Sequence, residues 1–158
     1  MFVLSALFIV FFYLYPKKTM KLYSSPYVEY LFDQKNSILF ETWTSKMLTE
    51  DIYKEEMLHK KDLLNQHKPI FILDDISRTN FSISPELQAW TEELFVPILM
   101  NLGVKKYAII LPQSIFGQVS MEQTVDEVQE HDLGIEFKYF DSVSNAKDWL
   151  LVTSSSNP

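Results

Sequence analysis

The chain has no cysteine, only three glycines in 158 residues, and 14 lysines and arginines against 21 acids. Each shortage excludes something. Without cysteine there are no disulfides, thiol nucleophiles, iron–sulfur clusters or cysteine-bearing zinc sites, a composition that fits a reducing cytoplasm. So few glycines leave no phosphate-cradling loop, and there is no Gly-x-Ser-x-Gly elbow. The net charge of −7 argues against a nucleic-acid binder, because phosphate contacts need a basic face. It also disfavours docking on anionic lipid by charge alone. What the chain does have is apolar surface. Its 47% hydrophobic and 15% aromatic content suffices for one packed domain and excludes general disorder.

The two ends read differently from the middle. Residues 1–19 form an apolar leader, in which "MFVLSALFIVFFYLY" is followed by Pro16, Lys17 and Lys18. The run is shorter than the ~20 residues that span a bilayer as a helix, and it lacks the basic start and small-residue cleavage site of a secretory signal. Two readings stand: a short membrane anchor, or an upstream extension with Met20 as the start. Both put the domain, residues 20–152, in the cytoplasm, since lysines after an inserted run stay inside. Residues 153–158 read as a loose tail.

Between these ends the pattern is regular. "YVEYLF" and "SILFETW" are rich in β-formers and flank the polar turn Asp33 to Asn36, which predicts an antiparallel hairpin. Thr49 to Gln66 lacks glycine and proline, with Thr49 as N-cap and Glu50 and Asp51 in the first turn. Its apolar face carries Tyr53, Met57 and Leu64. "PIFILDD" and "KKYAIILP" are continuous apolar runs of the kind that strands buried on both faces show. Between them, Ser84 and Pro85 start a helix that Gly103 stops, with Leu87, Trp90, Leu94 and Ile98 facing the core. Pro97 is expected to kink that helix or end it early. Ser120 to Glu130 reads as a helix, "IEFKYF" as the fifth strand, and Ser144 as the cap of a last helix, "NAKDWLL". The order β-β-α-β-α-β-α-β-α predicts an α/β domain with a five-stranded, mostly parallel sheet and one antiparallel edge strand.

The residue chemistry within this frame is thin. Asp74 and Asp75 lie at the carboxyl end of a central strand, where open α/β sheets bind ligands. Neighbouring strand residues point to opposite faces, so the two do not share a metal ion without a bulge. Asp74 is read as a loop-organising acceptor for Arg78 or for backbone N–H groups. His59, His67 and His131 occur singly, without ligand spacing, so neither metal nor cofactor is expected. Trp43, Tyr53, Phe81, Trp90, Phe95 and Phe116 form an aromatic set around the centre of the sheet, most of it core. Phe81 and Phe116 fall in the Ser77–Ser84 and Gln113–Ser120 loops. They either line an apolar pocket or form a partner or dimer patch.

Taken together, "LTEDIYKEE" after the second strand, "PIFILDDISRTNFSI", "KKYAIILP" and the closing "FKYFDSVSNAKDWL" resemble the SpoIIAA-like (STAS-like) family of small bacterial domains. The resemblance runs from Pro26 to Leu151, in the order and spacing of core and capping residues. It implies the fold of anti-sigma-factor antagonists, distantly related to lipid-binding CRAL-TRIO domains, and a regulatory role. In those antagonists the loop after the third strand carries an Asp-Ser pair whose serine is phosphorylated at a helix N-terminus. Ser84 takes that serine's place here, with Ile83 where the aspartate would stand and Pro85 and Glu86 in place of small residues. A helix N-terminus does favour phosphate. However, Ser-Pro-Glu is also what capping alone selects, and Glu86 would repel a phosphate, so the cap is the preferred reading of Ser84.

The expectation from sequence is therefore a non-enzymatic cytoplasmic binding or regulatory domain. It acts through Asp75, Arg78, Phe81, Ser84 and Phe116 on a protein partner or a small apolar ligand, with homodimerisation expected of a small regulatory domain. The alternatives are a hydrolase-like enzyme using Asp74, Asp75 and Ser84, or a membrane-tethered module if residues 1–19 are a real anchor.

Overall fold

The computed structural model describes residues 19–115 and 134–152. A six-stranded sheet runs in the order of the sequence: β1 (Thr19–Ser24), β2 (Val28–Asp33), β3 (Ile38–Trp43), β4 (Phe71–Asp75), β5 (Lys106–Ile110) and β6 (Glu136–Phe140). The first three strands are antiparallel, and β3 to β6 pair in parallel. The helices with described bounds are α1 (Glu50–His67), α2 (Pro85–Leu102) and α3 (Val143–Leu151). The α/β class and the mixed sheet match expectation. The strand count does not, because five were expected and six are present. The missed strand is β1, "TMKLYS", which is half exposed, breaks register between Lys21 and Tyr23, and places Lys21 on Glu29. An edge strand of this kind carries little apolar alternation, so it escapes a hydrophobic reading. With β1 at the edge, β2 becomes an interior strand.

Local signals set most boundaries. Asp33 closes the β2–β3 turn by accepting from the backbone N–H of Lys35 (3.0 Å) and Asn36 (3.3 Å). Thr49 caps α1 through the Ile52 N–H, and Ser84 caps α2 through the Leu87 N–H at 3.2 Å. Gly103 ends α2 in the left-handed conformation at φ 70°, which glycine adopts without a Cβ penalty. Two expectations are corrected. The cap of α3 is Ser142, whose Oγ accepts from the Asn145 N–H, and not Ser144. Of the two effects expected of Pro97, a kink or an early end, the early end does not occur, since the helix continues to Leu102. The expected helix Ser120 to Glu130, Phe116, His131, residues 1–18 and the tail lie outside the described residues.

Two apolar layers cover the sheet. On one face Tyr53, Met57 and Leu64 of α1 and Leu87, Phe95 and Leu99 of α2 pack on Leu39, Ile72 and Tyr107. On the other, Ala146 and Leu150 of α3 pack on Phe40, Leu73, Ala108 and Ile110. The β3–α1–β4 and β4–α2–β5 crossovers put both long helices on the same face, and the candidate site lies beneath them. Among the described residues no helix is long and apolar enough to cross a membrane.

The capping role of Ser84 has a measurable consequence. Ser84→Ala should lower unfolding stability by about 1 kcal/mol, and Ser84→Asp should retain it, because aspartate caps as well as serine. Urea midpoints of the three proteins check this.

Candidate functional site

Strand alternation places Leu39, Glu41 and Trp43 on the helix-covered face of β3. Glu41 lies opposite Tyr30 of β2 and beside Asp74 of β4, and Asp74 is beside Ile109 of β5. Tyr107, two residues before Ile109, points to the same side. A row of polar side chains thus crosses an otherwise apolar sheet face. Above it, Lys60 sits on α1 between Met57 and Leu64, which are both buried.

These groups form one network. The Lys60 ammonium is paired with Glu41 Oε2, and the side chains are 6% and 0% exposed. Glu41 Oε1 accepts from Tyr30 OH and from Trp43 Nε1, both at 3.1 Å. Lys60 Nζ also donates to Tyr107 OH at 2.8 Å, and Tyr107 OH donates to Asp74 Oδ2 at 3.2 Å. The ammonium lies over the rings of Phe95 and Tyr107, at 5.3 and 5.4 Å from their centroids. Asp74 Oδ1 is shielded from solvent and has no hydrogen-bond partner among the described residues.

The electrostatics sort these groups by charge state. Burial alone would lower the Lys60 ammonium, but the Glu41 charge, with Tyr107 and Asp74, holds it well above the ordinary lysine range. Burial, then the neighbouring Glu41 charge, pushes the Asp74 carboxyl up to about 8, against the opposing pull of Lys60 and Tyr107. Burial likewise raises Tyr30 and Tyr107 well above their usual value. Lys60 is therefore held as a cation and not an amine nucleophile, while the Asp74 carboxyl is moved out of the ordinary carboxylate range towards neutrality.

The network forms the floor of a cavity of about 840 Å³ between the sheet and helices α1 and α2. Its walls are mostly apolar and aromatic. Tyr53 stacks between Trp43 (6.0 Å) and Phe81 (5.4 Å), and Ile76, Ile109 and Phe137 complete the lining near them. Exposed lining residues of α2 and the loop before it, among them Ile83, Gln88, Glu92 and Glu93, mark the rim. A volume in the range of small-molecule pockets, apolar walls and a few convergent polar groups are what ligand sites share.

The residues singled out from sequence are dispersed. Phe81 lines the cavity, together with Thr79 and Ile83 of the same loop. Ser84 does not, its hydroxyl being the α2 cap. Asp75 accepts from the Ser77 N–H at 3.0 Å and turns the loop, the part expected of Asp74. Arg78 is exposed and does not bind Asp74, whose partner is Tyr107. Asp74, Asp75 and Ser84 are thus not brought together. His59 stacks on Tyr23 and His67 lies against Phe32, both away from the cavity. Among the described residues no group of three or more His, Asp or Glu is placed to hold a metal ion. The central residues, Glu41, Lys60 and Tyr107, were missed. Their signal was a lysine in the apolar stripe of α1 and a glutamate alternating with Leu39 and Trp43, since charged residues are rarely buried unless paired.

Comparisons with family models, with curated proteins and with solved structures return no match to this chain.

Two outcomes follow from the network. Lys60→Met should destabilise the fold by about 3–5 kcal/mol, because it strands a buried carboxylate. The double variant Glu41→Gln/Lys60→Met should recover most of that loss, since glutamine still accepts from Tyr30 and Trp43. Chemical denaturation of the single and double variants checks this. Asp74 acts in the opposite sense to an ordinary salt-bridged carboxylate. Its folded value of about 8 lies above the unfolded value of about 4, so its contribution is present at acid pH and lost as pH rises towards 8. The stability of the native chain relative to Asp74→Asn should fall between pH 5 and pH 8 and then level off. Melting temperatures of both proteins across that range check it.

Proposed function

We propose that this domain binds a small, largely apolar molecule in the cavity beneath α1 and α2, with a polar end on the Lys60–Tyr107–Asp74 floor. One observation carries the reading: a charged, hydrogen-bonded floor lies under an apolar cavity large enough for a ligand. A buried ion pair contributes little net stability compared with apolar packing, and its polar groups are placed where they can meet a ligand's polar end. The reading is of a binding domain in the cytoplasm, without turnover. A regulatory role of the SpoIIAA-like kind is compatible with it, because Ile83 on the cavity rim is an exposed apolar side chain. The family assignment rests on the sequence resemblance described above.

A second reading is acid–base catalysis by Asp74, favoured by a carboxyl that titrates near neutrality in an apolar cavity. A hydrolase built on Asp74, Asp75 and Ser84 has no such support, because those side chains serve separate local roles.

The test uses N-phenyl-1-naphthylamine, a neutral dye that fluoresces on entering apolar sites. One molecule should bind per chain, and Val96→Trp, which fills the cavity from α2, should weaken binding at least about tenfold with the melting temperature retained. A dye that fails to bind, or that binds the variant equally well, refutes the reading. Native mass spectrometry of the purified chain should show a co-purifying small molecule released by mild activation.

A further inference from the structure

The cavity's lining also specifies the charge of what it takes, and this inference rests on the binding reading above. Among the described residues, the charged side chains around the cavity are the acids Glu41, Asp74, Glu92 and Glu93 and one base, Lys60. That base is already committed to Glu41 and Tyr107. Among the described lining residues an anionic ligand would find no uncommitted cation, and it would face two carboxyl groups on the floor and two at the rim. A cationic ligand meets the reverse. Asp74 lines the cavity, and its Oδ1 has no hydrogen-bond partner among the described residues, so its carboxylate has an acceptor position to spare for a donor that reaches it from the cavity. The wall also carries the aromatic side chains Trp43, Phe81 and Phe137, and aromatic rings attract a cation. Lys60 shows that this environment holds an ammonium, lying over Phe95 and Tyr107 at 5.3 and 5.4 Å. The lysine's own repulsion is offset by the carboxylate in direct contact with it.

We infer that the ligand is an apolar or aromatic molecule carrying one protonated amine, its ammonium seated on the Asp74 carboxylate and against the aromatic wall. Binding exchanges one cation for another. The proton on Asp74 leaves to solvent, the carboxylate forms, and the ligand's ammonium takes its place, so the net charge of the floor is unchanged. The groups facing Asp74 set this exchange. They are Glu41 from β3 and Tyr30 beyond it on β2, Tyr107 from β5, Lys60 and Tyr53 from α1, and Asp75 adjacent in the chain. Glu92 and Glu93 of α2 add negative potential at the rim.

The experiment compares three probes of matched shape with the full chain by titration calorimetry: 2-(2-naphthyl)ethylamine, 2-(2-naphthyl)ethanol and 2-naphthylacetate. The amine should bind about tenfold tighter than the alcohol, as a desolvated cation–π contact plus an ion pair implies, and the carboxylate weakest. At pH 7 the amine should release close to one proton, read from the difference in heat between two buffers of unlike ionisation enthalpy. Its affinity should rise from pH 6 to pH 8, while that of the alcohol stays flat. Asp74→Asn should remove the amine's advantage and leave the alcohol's affinity in place. Should that variant fold poorly, proton release by the native chain decides the matter alone. Tightest binding of the carboxylate, an amine preference that survives Asp74→Asn, or amine binding without proton release overturns the charge assignment while leaving the cavity as a ligand site. Failure of all three probes together with the neutral dye overturns the binding reading beneath it.

Discussion

The ion pair between Lys60 and Glu41 is the constraint around which this face of the protein is organised. Two charges taken out of water carry a desolvation cost of several kcal/mol each, and only close geometry with further hydrogen bonds offsets it. Here the offset comes from Tyr30 and Trp43 on the glutamate and Tyr107 on the lysine. Four of the five groups lie on strands β2, β3 and β5, and the fifth on α1. The pair therefore registers the helix against the sheet in a way that apolar contacts do not, since dispersion is non-directional and tolerates sliding. Asp74 inherits its character from the same pair. Desolvated and beside the Glu41 charge, its carboxyl is pushed up to about 8.

The topology explains why this chemistry lies on a sheet face. In doubly wound sheets ligands gather at strand ends where the strand order reverses. The order here runs β1 to β6 without reversal, so no crevice opens between diverging helices. Both long helices instead cover one face, and the space between them and the sheet becomes the cavity. The loop after β4 contributes to its wall through Phe81 and Ile83, while the floor comes from strand interiors. Side chains on strands are held more tightly than those on loops, which suits a site whose polar groups must stay aligned without water.

Much of the architecture was legible from sequence because it follows from local rules. The caps Thr49 and Ser84, the stop at Gly103, the β2–β3 turn around Asp33 and the apolar runs of β4 and β5 each express the preference of a few neighbouring residues. Errors arose where that local signal is weak or shared. β1 alternates too little to stand out, Ser142 and Ser144 compete for one cap, and Pro97 is accommodated within a helix that packing holds together. The cavity was half legible. Phe81 and the aromatic set pointed to it, whereas Asp75, Arg78 and Ser84 drew attention to a loop whose polar groups serve the turn and the cap.

By itself, then, the sequence determined the alternation of strands and helices, the faces they bury, and the presence of an aromatic-rich centre, because periodicity and capping are properties of adjacent residues. The tertiary structure alone decided that Glu41, Lys60, Asp74 and Tyr107 meet. These residues come from four separate elements, 66 positions apart at the extremes, and their charge states exist only once the sheet and α1 have closed over them. A carboxyl moved towards neutrality is a product of burial and of a neighbouring charge, and neither can be read from a residue's place in the chain.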